Sequence, residues 1–238
     1  MISIIIAFVI AVLPSILLLI YILKKDAKPE PAKQIWKAIL WGVAIVIPIV
    51  IVENIISPIL FGEGGSAVSV ISHIADAFIV AAIPEESFKL LALWLVLRKN
   101  PYFDEHYDGI VYSVCVGLGF ATVENIFYVV GEGDWASVGI MRALFSVPGH
   151  YAFAVLMGYY YARYHFVKRS FLNGISILGV PVLAHGIYDA IVMNVGVNEY
   201  LVLPIIGLLI FFCIKMHKVC KKKIVAQLEM DKPGEIAV

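Results

Sequence analysis

The feature that most constrains this chain is a succession of apolar stretches at 2–23, 35–61, 67–97, 109–131, 136–164, 171–193 and 200–216, separated by short polar connections. A helix rising 1.5 Å per residue needs about 20 residues to cross a hydrocarbon core about 30 Å thick, and every stretch approaches or exceeds that length. A bilayer offers the backbone no water, so only helices and closed barrels span it. The runs are continuous rather than alternating ten-residue segments, which selects a helical bundle over a barrel. The expected fold is an all-α polytopic membrane protein of about seven transmembrane helices. Composition agrees: 61% of residues are hydrophobic and 15% charged, with a mean hydropathy of +0.92. Soluble domains run near 45–50% and about 25% respectively. These values exclude an ordinary cytosolic enzyme, a disordered regulator and a secreted disulfide scaffold. One domain over 1–216 is expected, followed by a short basic tail over 217–238, of which 224–238 reads as solvated.

Charge placement sets the expected orientation. Lys24, Lys25, Lys28 and Lys33 follow the first stretch, Arg98 and Lys99 the third, Arg163, Lys168 and Arg169 the fifth, and Lys215, Lys218 and Lys221–Lys223 the last. The intervening loops carry Glu63, Glu132, Asp134 and Glu199 and no Lys or Arg. Basic loops stay cytoplasmic, so the N-terminus is expected outside, the C-terminus inside, and the protein in the cell (inner) membrane. The first stretch lacks a basic n-region and a small-residue cleavage site, and reads as a retained helix. The stretches 67–97 and 136–164 are too long for one straight crossing and contain Pro84 and Pro148. They are either tilted and kinked or each a short piece followed by a fresh helix. Trp36, Trp41, Tyr102 and Trp135 read as interface anchors. Cys115, Cys213 and Cys220 show no paired or zinc-finger spacing. Cys220 lies in the basic tail, where acylation is a minor reading.

The informative residues are polar ones inside apolar stretches: Glu53, His73, Asp76, Glu85, Glu86, Lys89, Glu124, Asn125, Arg142, His150, His185 and Asp189. Each buried charge costs roughly 2.5–3.5 kcal/mol at mid-bilayer on insertion scales, so such groups must face one another or a wet cavity. Structural ion pairing, such as Glu85 with Lys89 or Arg142 with Glu124 or Asp76, accounts for some of them. In Pro84–Lys89 (PEESFK) the proline suits a first helical turn and the two acids sit at its positive dipole end. Adjacent residues diverge by about 100°, so one glutamate is expected to pair with Lys89 and the other to face a cavity. His185 and Asp189 share a helical face at i,i+4. His150 follows Pro148–Gly149. Gly117 and Gly119 allow close helix approach ahead of Glu124–Asn125. The alternating topology puts Glu85, His150 and His185 near mid-membrane, with Glu124 and Asp189 somewhat outward. Glu53, His73 and Asp76 read as support or a water path.

Carboxylates and histidines in a wet intramembrane pocket suit amide hydrolysis, with a glutamate as general base. The histidines then either bind a divalent metal such as zinc or donate hydrogen bonds to the oxyanion without one. No HExxH and no Gly-x-Ser-x-Gly motif is present. An ion- or proton-coupled transporter and a non-catalytic membrane scaffold are competing readings of the same polar residues.

EESFK at 85–89, GFATVEN at 119–125, Pro-Gly-His at 148–150 and HGIYD at 185–189 together resemble the PrsW family of intramembrane proteases. That family lies within the wider group containing the CAAX prenyl endopeptidases and their bacterial immunity-protein relatives. The resemblance covers about 30 to 215. It implies Glu85 and Glu86 as a catalytic acid pair, His150 and His185 as metal ligands or oxyanion donors, and Glu124 and Asp189 as supporting catalytic-site residues. Lys89, Asn125 and Arg142 are the candidates for a supporting, substrate-binding shell. Lys89 at this spacing, in place of a more distant arginine, and Asp189 in place of asparagine depart from the CAAX-type pattern and argue against prenyl-protein processing. The resemblance further implies cleavage of a single-pass membrane protein, such as site-1 cleavage of an anti-sigma factor in a stress response. The expected partners are that substrate and the lipid bilayer, with no nucleic acid.

Overall fold

The computed structural model describes residues 2–62, 67–131 and 134–232, and every regular element within them is helical. Glu63, Glu132 and residues 233–238 of the tail lie outside the described residues. The elements are α1 (Ile2–Leu23), α2 (Ala32–Ala44), α3 (Val46–Phe61), α4 (Val70–Ala75), α5 (Ile83–Leu97), α6 (Asp108–Gly131), α7 (Trp135–Met141), α8 (Val147–Ala162), α9 (Phe171–Met193) and α10 (Val202–Met230). Among the described residues, six helical rods are long and apolar enough to cross a membrane: α1, α2–α3, α6, α7–α8, α9 and α10. The remaining rod, α4–α5, carries Asp76, Glu85, Glu86 and Lys89, and its polarity is a consequence of the site it bears.

The two over-long stretches resolve in the same way. α4 runs into α5 through a π-helical turn, Asp76–Ala82, and α7 runs into α8 through another, Arg142–Ser146. Neither rod breaks. Each π turn ends just ahead of a proline in the first turn of the next helix, Pro84 or Pro148. A proline has no N–H to donate and clashes with the carbonyl four residues back, so a wider turn there removes the conflict. Both turns also rotate the following residues, and the site residues Glu86 and His150 each lie two positions after their proline.

α6 is the central post. Every residue from Tyr107 to Ala121 is buried, as expected of a helix that is apolar all round. α2 and α8 pack directly against it, with α1 alongside. Small residues set these contacts, in line with the close approach expected at Gly117 and Gly119. A Cβ on Gly119 would stand 2.4 Å from the Ile39 carbonyl oxygen, and one on Gly158 would stand 2.2 Å from that of Gly109. The obstructing atoms are backbone, so they cannot swing aside. Gly158→Leu is therefore expected to cost about 3 kcal/mol, the upper end of ordinary overpacking, read as a fall in thermal midpoint in detergent. The outward faces present large apolar side chains such as Ile59, Phe171 and Leu203, the surface a hydrocarbon solvent requires.

The C-terminal segment differs from the solvated tail expected of 224–238. α10 continues to Met230 and folds back on the bundle: Cys220, Ile224 and Gln227 are buried. Gln227 Nε2 donates to the Tyr159 carbonyl at 3.2 Å. The reason is spacing: Cys220, Ile224 and Gln227 fall at i, i+4 and i+7, one uncharged face of a helix whose lysines occupy the other sides. Cys220 faces the Ala152 carbonyl at 3.6 Å and has 1% exposure, which removes it as an acylation site. All three cysteines are free thiols.

Candidate active site

Glu85, Glu86, His150 and His185 are all buried and come from three helices. One ligating atom from each lies within 4.8 Å of the others. α5 supplies the acids, α8 supplies His150 and α9 supplies His185. Gly186 makes the α9 approach possible, since a Cβ there would stand 2.4 Å from the Phe78 ring on the first π turn.

Lys89 sits among them. Its Nζ donates to Glu85 Oε2 at 2.9 Å, to Glu86 Oε1 at 2.8 Å and to His150 Nδ1 at 3.3 Å. This corrects the expectation that one glutamate alone would pair with the lysine. Residues three and four positions before Lys89 flank it on the same face, and an ammonium has three protons to share. The two acids still differ. Glu86 has no exposure and also accepts from His185 Nδ1 at 2.9 Å, while its Oε2 is buried with no partner. Glu85 retains 5% exposure, and its Oε1 takes no hydrogen bond from the described residues.

The histidines are held from behind. His150 accepts from Lys89 at Nδ1, so its Nε2 carries the proton, which it donates to Glu124 Oε2 at 2.8 Å. Arg142 Nη2 forms an ion pair with that same oxygen at 2.7 Å, and Arg142 Nε donates to Asn125 Oδ1 at 2.8 Å. Asn125 in turn donates to the Ala11 carbonyl at 2.7 Å, tying the chain of contacts to α1. His185 donates from Nδ1 to Glu86. Its Nε2 stands 3.1 Å from Asp189 Oδ2 and 4.0 Å from Glu85 Oε2. Thus Glu85, Glu86, Lys89, Glu124, Asn125, Arg142, His150, His185 and Asp189 belong to one network. His73 stays apart, bonded to Asn194 and to the Ala67 carbonyl. Glu53 and Asp76 are half-buried and make no hydrogen bond among the described residues.

Sequence reasoning missed the aromatic walls. Phe153 stacks on His185 at 4.7 Å between ring centroids, with 19° between planes. Phe120 lies under the Lys89 ammonium at 4.3 Å, and Tyr128 lies against Arg142 at 3.9 Å. Phe153 is one turn beyond His150, a spacing that in an apolar helix carries no signal of its own.

The donor set fits a divalent metal. It offers imidazole nitrogen and carboxylate oxygen, as zinc takes. Glu86 fixes His185 through Nδ1, the carboxylate–histidine arrangement that supports a ligating imidazole. Nε2 stands 3.1 Å from Asp189 and 4.0 Å from Glu85, so a metal taking it requires Asp189 to release that nitrogen. The orphaned Glu86 Oε2 is a further donor. Lys89 is the cation among these groups, and a metal taking His150 Nδ1 requires the ammonium to release that nitrogen.

Fold and site together define a polytopic helical membrane protein with a buried glutamate–histidine centre suited to hydrolysis. Residues 30–216 match the PrsW family of intramembrane metalloproteases, and the chain belongs to that family. It is similar to Protease PrsW of Clostridioides difficile (strain 630), 35% identical over 221 residues that cover 90% of each chain. It is likewise similar to Protease PrsW of Geobacillus kaustophilus (strain HTA426), 38% identical over 75% of this chain and 76% of that one. Protease PrsW of Bacillus subtilis (strain 168) is 34% identical over 86% of this chain and 91% of its own. No solved structure matches the chain. The protein is an intramembrane protease, a multi-pass membrane hydrolase that acts on membrane-protein substrates, and the transporter and scaffold readings are set aside.

Proposed function

We propose that Glu85 is the general base of this protease, that His150, His185 and Glu86 hold a divalent metal such as zinc, and that the substrate is a single-pass membrane protein. The observation that carries the assignment is the difference between the two glutamates: one faces what little space the centre has, the other is wholly enclosed and bonded to His185. A water molecule must reach the base, and Glu85 is the accessible one. A bound metal would polarise the scissile carbonyl and acidify the attacking water.

The residues of the chain do the remainder. Glu85 takes a proton from water as its oxygen attacks the carbonyl carbon. It then passes that proton to the amide nitrogen as the C–N bond breaks, leaving a carboxylate and an amine. Glu86 orients His185, and Glu124 orients His150. Arg142 holds Glu124 in place. Lys89 offsets the charge of the acid pair before substrate arrives. Phe153, Phe120 and the apolar faces around them exclude bulk water, which strengthens every charge interaction inside.

Basic loops alternate with acidic or neutral ones along the chain, which supports an N-terminus outside and a C-terminus inside. In that orientation the centre lies from mid-membrane outward, and a cut there falls on the extracytoplasmic side of a substrate helix. An anti-sigma factor spanning the membrane once is a substrate of that kind, and the family resemblance is what favours it. The test is terminal-peptide proteomics of membranes from cells lacking the protein, complemented with wild type or with Glu85→Gln at equal abundance. A new N-terminus in a single-pass protein, present only with wild type, is the expected result. Identical profiles under several stresses would overturn the substrate reading.

A further inference from the structure

A second group of carboxylates lies about 24 Å from the centre, judged from the 16 residues between Asp108 and Glu124 on α6 at 1.5 Å each. Asp26, in the α1–α2 connection, and Glu105 and Asp108, at the entry to α6, each offer an oxygen within 4.8 Å of the others. This end of the bundle is otherwise basic, with Lys24, Lys25, Arg98 and Lys99 in the same two connections. Those lysines and arginines do not neutralise the acids. Lys28 bonds Asp104 and His106 bonds Asp231, so neither side chain is bonded to the three acids.

The second observation is a pair of buried oxygens with nothing to bind. Asp108 has no exposure, and while its Oδ2 accepts from the backbone N–H groups of Asp104 and Glu105, its Oδ1 is unpartnered. Asp26 has 8% exposure; its Oδ1 accepts from the Lys28 N–H and its Oδ2 is unpartnered. Glu30 closes the group, held by the Tyr112 hydroxyl. Burial pushes the carboxyl groups of Asp26, Glu30 and Glu105 above the ordinary range. Buried anionic oxygens left without partners are expensive. Asp108 also meets the Glu30 carboxyl side to side, and Asp26 lies against the Glu30 backbone N–H. Acids this close need a shared proton or a cation between them, and among the described residues no lysine or arginine side chain is bonded to the unpartnered oxygens.

We propose that Asp26, Glu105 and Asp108 form a binding site for a hard divalent cation, separate from the active site, that clasps the α1–α2 connection to the start of α6. The donors are all oxygen, which selects calcium or magnesium over zinc. A cage of several carboxylates favours calcium, because magnesium dehydrates reluctantly and keeps most of its waters. Asp231, bonded to the backbone N–H groups of His106 and Tyr107, carries the same clasp to the end of α10.

The test uses the full chain purified in detergent and stripped with chelator, with calcium and magnesium added in separate arms. A site of this kind raises the thermal midpoint by about 5–10 °C at a hundredfold excess over Kd. That rise is expected in wild type and absent in Asp26→Asn/Asp108→Asn, whose active-site cluster is unchanged. A rise with calcium alone, or a larger one than with magnesium, is the expected order. Terbium luminescence sensitised through the protein, quenched by calcium, reads binding directly. It is expected to lose one site in Glu105→Gln, a milder change that serves if the double variant does not fold. Equal stabilisation of wild type and variants, or no stabilisation together with no terbium signal, would overturn the proposal and leave these acids sharing protons.

Discussion

Glu85→Gln is expected to lower turnover of a membrane-peptide substrate by about 10²–10⁴-fold, the usual contribution of a positioned general base. Glutamine keeps the shape and still accepts from Lys89, so the thermal midpoint should move little. The loss should fall on kcat, because Glu85 acts on the attacking water rather than on substrate binding. Glu86→Gln is expected to fail differently. Its carboxylate both offers Oε2 to the proposed metal and fixes His185 through a 2.9 Å bond, and losing the orienting role alone typically weakens metal binding about 10–100-fold. Metal content measured on the purified variants therefore separates the two roles. Glu85→Gln should retain wild-type metal and Glu86→Gln should lose it at limiting supply. Activity within tenfold of wild type in Glu85→Gln would sink its assignment as the base.

Lys89→Met is expected to destabilise the protein by about 3–5 kcal/mol, the cost of stranding a partner in a buried ion cluster. Lys89 retains 3% exposure, and its ammonium holds Glu85, Glu86 and His150 at once. Without it two adjacent acids remain buried, with His185 the remaining side-chain donor to Glu86 among the described residues. In a chain of this size the effect amounts to a fall of about 6–20 °C in thermal midpoint. Adding Glu85→Gln and Glu86→Gln to Lys89→Met should restore much of the loss, since removing the whole charged group leaves nothing uncompensated. A fall no larger than that of the exposed Lys222→Met would show that the cluster contributes nothing to stability.

The legible part of the site was its membership. Polar residues in apolar stretches stand out because hydrocarbon excludes them, so Glu85, Glu86, Lys89, Glu124, Arg142, His150, His185 and Asp189 were visible without any structure. His73, Asp76 and Glu53 gave the same signal and do not join the network. The signal reports that a polar group needs company and does not report whose. Phe153, Phe120 and Tyr128 were invisible for the opposite reason: an aromatic side chain in a membrane helix is unremarkable until its neighbour is known. The π turns were announced only by excess length and a proline. A kinked helix, a broken helix and a widened turn all satisfy those two facts.

The amino-acid sequence alone determines that this protein is a bundle of membrane-crossing helices, because about 20 apolar residues in a row have one low-energy solution in lipid. It also determines which residues are expensive there. Tertiary structure alone decides how they share their charges. Both glutamates converge on Lys89, His185 is held between Glu86 at Nδ1 and Asp189 at Nε2, and the lysine-rich end of α10 lies against the bundle instead of in solvent. Those outcomes depend on how α5 and α8 pack against α6 and how α9 packs against α5 and α8 in turn, and so on contacts between residues as much as 99 positions apart. Hydropathy along the chain records the solvent each residue prefers. It carries no record of direction, and direction is what makes one of two neighbouring glutamates a candidate base and the other a clamp.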